Sequence, residues 1–597
     1  MKKYSTYYLV SFIGVCCMIA MSGVLFSTET IPETTDSPNC AITAISGNTV
    51  LCVDHSEPFS ATSQDNPSSW NWKVKSYTDA EGPNVPFTAA NEVTSDVMNI
   101  TNTQDVDIEF DETGKYIIVV DCGSGRIARK SVTVVEVPDF TINDVCFGDT
   151  PILTTPDTNV TYSIETGDDP DGTGAKITTA GIISGITTGG TVVVTGTHND
   201  LSSCKKTVSF KVVQVVLTKC ATAWKPRGGE KLDNNTTIGA YVIPDTMKGS
   251  FKFTLYDVSH EKGYCLNAPV VIPESGEDSD SWKDLQFDDK QTNYSVSGSD
   301  KDIAESTFDD RYTATVRINA YDYGAYGKIK VEFTSQDESI TCTGIEVDGT
   351  NEYTRLPRDD NGNFISDGAV QDMGPLFITT AGDDLEGWPD VVGDGFTRYE
   401  EWRGFMVNGK HIRTSEIEFD LFIYDEHALD FGIFQTASLI TCHSISVTEW
   451  TGIGSHANGK RIINNNRETA SGTAQYGLHL TKYINGSDTG NWAKYDNGYS
   501  DNNLPTPKGI IKIQIHTEDI IKDYKLDDPV ELAFSIADVN RVIAHEIGHG
   551  CKIPHHDPIN GGADCPTRYD TRFMQPLPTV FCNRLDNCKS LINVNDP

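Results

Sequence analysis

The chain has 597 residues, with 47 Lys and Arg against 85 Asp and Glu, a formal net charge of −38 at pH 7. That balance excludes a nucleic-acid binder, because neutralising phosphate needs a basic surface, and it argues against anionic membrane surfaces. The length exceeds what one core organises and predicts roughly three to five domains; 38% hydrophobic residues and 50 glycines suit turn-rich, β-rich globular modules.

Lys2 and Lys3 precede an apolar run from Tyr7 to Phe26. Residues 1–30 read as a secretory signal peptide or an uncleaved N-terminal anchor, and a Thr/Pro/Ser-rich linker follows over 31–39. The expected destination is secreted or the extracellular cell surface, where disulfides persist.

Residues 40–137 alternate strand-like runs with turn clusters and predict a β-sandwich. Tyr116–Val120 and Ser131–Val135 are its clearest strands. Cys52, Trp72 and Cys122 have the order of an immunoglobulin-like core. The run Phe110-Asp111-Glu112-Thr113-Gly114-Lys115-Tyr116 resembles the turn into a late strand of bacterial Ig-like or PKD-like modules. Residues 138–215 read as a second such module, with Cys146 and Cys204 as a candidate bridge. Residues 216–350 predict a third β-rich domain from alternating runs such as Phe251–Leu255 and Tyr312–Ile318, with Cys265 and Cys342 as its candidate bridge.

Residues 351–410 change to an acidic connector. Asp390, Asp394 and Glu401 occupy the first, fifth and twelfth places of an EF-hand-like loop, and Gly395 the sixth, so Ca2+ is a candidate ligand. Val392 breaks the third place, where an oxygen ligand is usual. Asp359-Asp360-Asn361-Gly362-Asn363 is a second oxygen-rich turn, and either segment also reads as a plain Asx turn.

Residues 411–597 carry the densest chemistry. Glu416–Tyr424 and Gly509–His516 predict strands. A helix with a start at Ser535 and a stop at Gly550 is expected from the Ser535-Ile536-Ala537-Asp538 cap pattern and the apolar spacing of Val539, Val542, Ile543 and Ile547. On that helix His545 and His549 lie at i and i+4 and share a face. Two imidazoles plus a third protein ligand would hold Zn2+ and leave water the fourth position. Glu546, beside the first ligand, is placed to act as general base. His555 is the favoured third ligand, with His556 or Asp557 as alternatives. No glutamate follows Glu546, which excludes a downstream glutamate ligand. Cys551, Cys565, Cys582 and Cys588 read as two disulfides or, alternatively, as a second structural zinc site. His411, His427, His443, His456, His479 and His516 lack ligand spacing and read as surface or packing residues.

The segment His545-Glu546-Ile547-Gly548-His549-Gly550-Cys551-Lys552-Ile553-Pro554-His555 resembles the metzincin metallopeptidases, whose signature is H-E-x-x-H-x-x-G-x-x-H followed by a methionine turn. Met574 is the residue the resemblance offers for that turn. Lys552 replaces the signature glycine. The resemblance covers about residues 535–580. It implies an α+β peptidase domain behind all-β sandwich modules, and a secreted zinc endopeptidase cutting extracellular proteins, as a monomer. The alternative is a cell-surface adhesin or binding protein whose C-terminal domain carries a degenerate or structural zinc site.

Overall fold

The computed structural model describes residues 42–64, 70–76, 104–122, 127–165, 167–179, 181–228, 234–268, 282–349, 351–369, 394–415, 418–453, 461–467, 474–482, 492–495, 510–521 and 526–551. The chain divides into two compact units. One comprises Met1–Val137 with His198–Lys205, the other Pro138–Thr197 with Lys206–Pro597.

The first unit holds a three-stranded antiparallel sheet, Ile42–Ser46, Glu57–Ser63 and Asp105–Ile108. It also holds a four-stranded sheet in the order Val50–Cys52, Ile127–Val135, Gly114–Asp121 and Asn71–Ser76. Strand residues alternate across each sheet, so Trp72, Val74, Ile118, Val120, Val132 and Val134 meet Phe59, Ala61, Val106 and Ile108 in one core. Trp72 is 1% exposed. The Tyr116 hydroxyl donates to the Glu112 carbonyl at 3.0 Å and its ring packs against Phe110 at 4.8 Å, closing the turn into the strand.

The disulfides differ from the expected pairs. Cys52 bonds to Cys204, not to Cys122, and Cys122 is itself disulfide-bonded. Cys146 bonds to Cys342, not to Cys204, and Cys265 is a free, buried thiol. A bridge follows which Cβ atoms converge in three dimensions, and these pairs lie 152 and 196 residues apart in sequence.

The second unit contains two stacked sheets. The first has the order Leu285–Phe287, Thr313–Ala320, Asn235–Ile243, Leu201–Leu217, Gly190–His198 and Val160–Ser163. The second runs Tyr294–Ser297, Ile303–Ser306, Gly249–Tyr256, Gly327–Ser335 and Thr341–Thr343. Val215, Leu217, Ile238, Val316 and Ile318 of the first meet Phe251, Phe253, Val331 and Phe333 of the second. The strand Leu201–Leu217 runs across position 215, so the chain does not break there.

The described residues between 420 and 551 form a layered α/β element. Its sheet has the order Thr441–Ile445, Asp420–Asp425, Leu478–Lys482, Ile510–Ile515 and Trp492–Tyr495, the last antiparallel and the others parallel. The helix Pro529–Gly550 buries Ile543, Ala544 and Ile547 against Leu421, Ile423, Leu480, Ile513 and Ile515. Its start is not Ser535. Asp528 is the N-cap, its side chain accepting from the Val530 N–H at 2.8 Å, and Pro529 takes the first turn where its missing N–H costs nothing. The Ser535 hydroxyl instead donates to the Leu532 carbonyl. The stop at Gly550 is as expected, with Cys551 as C-cap.

Candidate functional site

His545 and His549 stand one turn apart near the C-terminal end of the long helix. Their Nε2 atoms are 3.0 Å apart and their rings cross at 84°. A hydrogen bond at that distance needs one ring nitrogen to donate and the other to accept. Glu546 points into the protein at 8% exposure, and burial pushes its carboxyl up to about 7. His555, His556, Asp557, Cys565, Met574, Cys582 and Cys588 lie outside the described residues. Cys551 is a buried free thiol in the helix-to-sheet core, with Cys442 packed against the same cluster.

Of the candidate calcium residues, Asp390 lies outside the described residues. Asp394 is fully buried; its two oxygens accept from the N–H of Phe396 and of Asp420. Gly395 follows at φ 88°, the left-handed conformation a tight loop requires. Thr397 and Glu400 form a capping box for the helix Arg398–Arg403, whose residue Glu401 is wholly buried. The second oxygen-rich turn is closed by its own backbone: Asp359 accepts from Gly362, Asn363 and Phe364.

Two polar centres escaped the sequence reading. Arg403, 1% exposed, donates to both oxygens of Asp322, to Glu261, and to the carbonyls of Lys262 and Asn466. Burial and the neighbouring Asp322 hold the carboxyl of Asp284, in the same region, well above the usual carboxylate range. The second centre is Asp420 with His443, at 2.5 Å, on adjacent strands. Burial raises the Asp420 carboxyl against the lowering effect of that imidazole. His411 stacks flat on Tyr323 at 3.4 Å and its Nε2–H donates to the Arg403 carbonyl; burial pushes its pKa down to about 3. His479 meets Glu426 at 3.2 Å. These histidines are packing residues, as their spacing suggested.

No protein-family model matches the chain, and no curated protein matches it. Solved structures it resembles are all-β and Ig-like. The C-terminal 282-residue fragment of intimin, solved with the intimin-binding domain of the translocated intimin receptor, is 10% identical over 30% of this chain and 69% of its own, with a TM-score of 0.20. A putative membrane anchored protein from Corynebacterium diphtheriae is 10% identical over 52% of this chain and 90% of its own, at 0.15. Dpr2 Ig1-Ig2, solved with DIP-Theta Ig1-Ig3, is 12% identical over 52% of this chain and 100% of its own, at 0.18.

These findings correct the enzyme expectation. Among the described residues no group of three or more His, Cys, Asp or Glu could hold a metal ion. The metzincin and zinc-endopeptidase reading, with Glu546 as its base, is withdrawn. The physical reason is that a short helical signature fixes only where two imidazoles and one carboxylate lie along a helix. What the described residues do show is far more strand than helix, with stacked antiparallel sheets before the α/β element.

Proposed function

We propose that the chain is an extracellular or cell-surface binding protein whose Ig-like sandwiches present surfaces to protein partners. The observation that carries the reading is the covalently closed sandwich of the first unit, with Trp72 sealed in its core and Cys52 bonded to Cys204. Such stapling suits an oxidising, extracellular setting. The net charge of −38 keeps so large a chain soluble there. No helix among the described residues is long and apolar enough to cross a membrane.

Zn2+ and Ca2+ enter this reading as structural ligands. Tetrahedral zinc with Zn–N of 2.0–2.1 Å places two imidazole nitrogens ~3.3 Å apart, so the 3.0 Å separation of His545 and His549 needs to open only slightly. His555 would be the third ligand. Asp390, Asp394 and Glu401 are the proposed calcium residues. Metal content of the full chain beside His545→Ala and Glu401→Gln tests both.

The binding role is tested with labelled full-length protein on intact cells. Saturable binding, abolished when the cells are first shaved with protease, is the expected result. Binding that does not saturate, or that survives shaving, would refute a protein partner.

A further inference from the structure

Where the strand Leu201–Leu217 ends, charged side chains line a cavity of about 290 Å³. Lys219 follows that strand. Glu346 ends the short strand Ile345–Glu346, which pairs with it in parallel, and Asp348 lies in the turn beyond. Arg355 sits on Thr354–Leu356, paired with Gly327–Ser335, and Arg358 and Asp360 come from the loop after it. A cavity of this volume is at the small end of the range for ligand sites.

Its charges are unevenly matched. The Lys219 ammonium serves three carboxylates at once, Asp348 at 2.8 Å, Asp360 at 3.3 Å and Glu346 at 3.8 Å. The hydrogen bond to Asp348 holds the Lys219 pKa above its ordinary value, so the ammonium stays charged. Arg358 also grips Asp360, at 2.8 and 3.2 Å, and lies 3.8 Å from Asp367. Lys219 and Arg358 thus face four carboxylates. Arg355 is the reverse case. Its guanidinium donates to the Asp359 carbonyl at 2.7 Å and pairs with no carboxylate among the described residues. The Asp359 carboxylate is turned into its own loop, where it accepts from Gly362, Asn363 and Phe364. Lys328, above the Tyr353 ring in the same wall, is paired with Asp257 at 2.9 Å.

A surplus of carboxylates beside one unmatched guanidinium sets the chemistry of the occupant. A lone anion would suit the planar fork of Arg355, but it would add negative charge to a wall that already has too much. A lone cation would suit the carboxylates and leave Arg355 without a counter-ion. A bare metal ion would have to displace the Lys219 ammonium from the carboxylates it serves. A molecule with both charges answers both needs.

We propose that this cavity binds a small zwitterion of the amino-acid class, with its carboxylate on Arg355 and its ammonium against Asp348 and Glu346. The site lies within the second unit and stands apart from the protein-binding reading.

The test is calorimetric titration of the full chain at millimolar ligand. The probes are glycine, β-alanine, γ-aminobutyrate and ε-aminocaproate, which set the two charges at increasing separation. Butyrate and butylamine are the single-charge controls. At least one zwitterion should bind saturably, one per chain, about tenfold more tightly than either control. Arg355→Gln should reduce that zwitterion to the affinity of butylamine. Arg355→Lys, which keeps the charge and loses the fork, should fall between. Asp348→Asn should weaken binding by less than Arg355→Gln, because Glu346 remains. All three side chains are partly exposed or become so at the cavity, and thermal unfolding of each variant checks that the fold is kept. Butylamine binding as tightly as the zwitterion would overturn the proposal in favour of a cation site, and butyrate doing so would leave an anion site. Zwitterion binding unchanged in folded Arg355→Gln would place the ligand elsewhere. No saturable binding by any of the four would show the charged wall to be structural alone.

Discussion

Arg403→Ala tests whether residues around 261–324 and 396–467 are held as one piece. The guanidinium is 1% exposed and donates to Asp322 at 2.8, 3.0 and 3.1 Å, to Glu261 at 3.3 Å, and to the Asn466 carbonyl at 2.7 Å. Truncation strands two carboxylates that are 0% and 4% exposed. Breaking a buried pair from one side costs about 3–5 kcal/mol, mostly because the surviving charge is left without its counter-ion. For a unit as large as the second one, at about 2.1 cal/mol/K per residue, that corresponds to a fall in Tm of about 3–5 °C. Calorimetry of the full chain reads the fall, and amide exchange reads its location. The segments 261–268, 321–324 and 398–413 should lose protection together, because Asn267 also exchanges hydrogen bonds with Met406 and Arg413 donates to the Tyr323 carbonyl. Removing the stranded charges as well, in Arg403→Met/Asp322→Asn/Glu261→Gln, should recover at least half of the loss. A Tm change under about 2 °C, or loss of protection confined to 398–413, would refute the reasoning.

Three further outcomes follow from the same geometry. His411 has a folded pKa near 3 against an ordinary 6.5. The unfolded chain therefore binds the proton first, and this residue's stability contribution is present above pH 6.5 and lost as pH falls toward 3. His411→Gln should flatten the acid limb of the stability–pH curve, and an unchanged limb would show that other groups set it. Removing the bridge with Cys146→Ser/Cys342→Ser should cost about 3–5 kcal/mol by denaturant titration, from loop entropy over its 196-residue span; a loss below ~1 kcal/mol would mean the crossing Cys52–Cys204 bridge already constrains that loop. Tyr116→Phe should cost about 1 kcal/mol through the hydrogen bond to the Glu112 carbonyl, and a neutral result would mean that water replaces the partner.

The sandwich core was legible because strand alternation is local: Trp72, Val74, Ile118 and Val120 announce one face of a sheet with no knowledge of its partner. The end of the long helix was legible for the same reason, through Ile543, Ile547 and Gly550. Its beginning was not. Val530, Leu532, Phe534 and Ile536 lie on two sides, so no single stripe forms there, and the periodic signal starts only near Val539. Arg403 was invisible because its partners are 63, 81 and 142 residues away. Disulfide pairing escaped in the same manner, since cysteine order along the chain carries no distances. The two imidazoles of His545 and His549 do lie on one face, but helical spacing alone supplies no third ligand, and the zinc chemistry inferred from it needed one.

The Cys52–Cys204 bond sets an order of events for export. A chain that emerges amino end first presents Cys52 to the oxidising compartment with Cys122 and Cys146 before Cys204 has appeared. The earliest pairings available to Cys52 are thus not its final one. A recombinant fragment cut at Val137 would meet the same difficulty permanently. It lacks His198–Lys205, keeps Cys52 as an unmatched thiol, and would be expected to run as a mixture of monomer and covalent dimer on non-reducing gels.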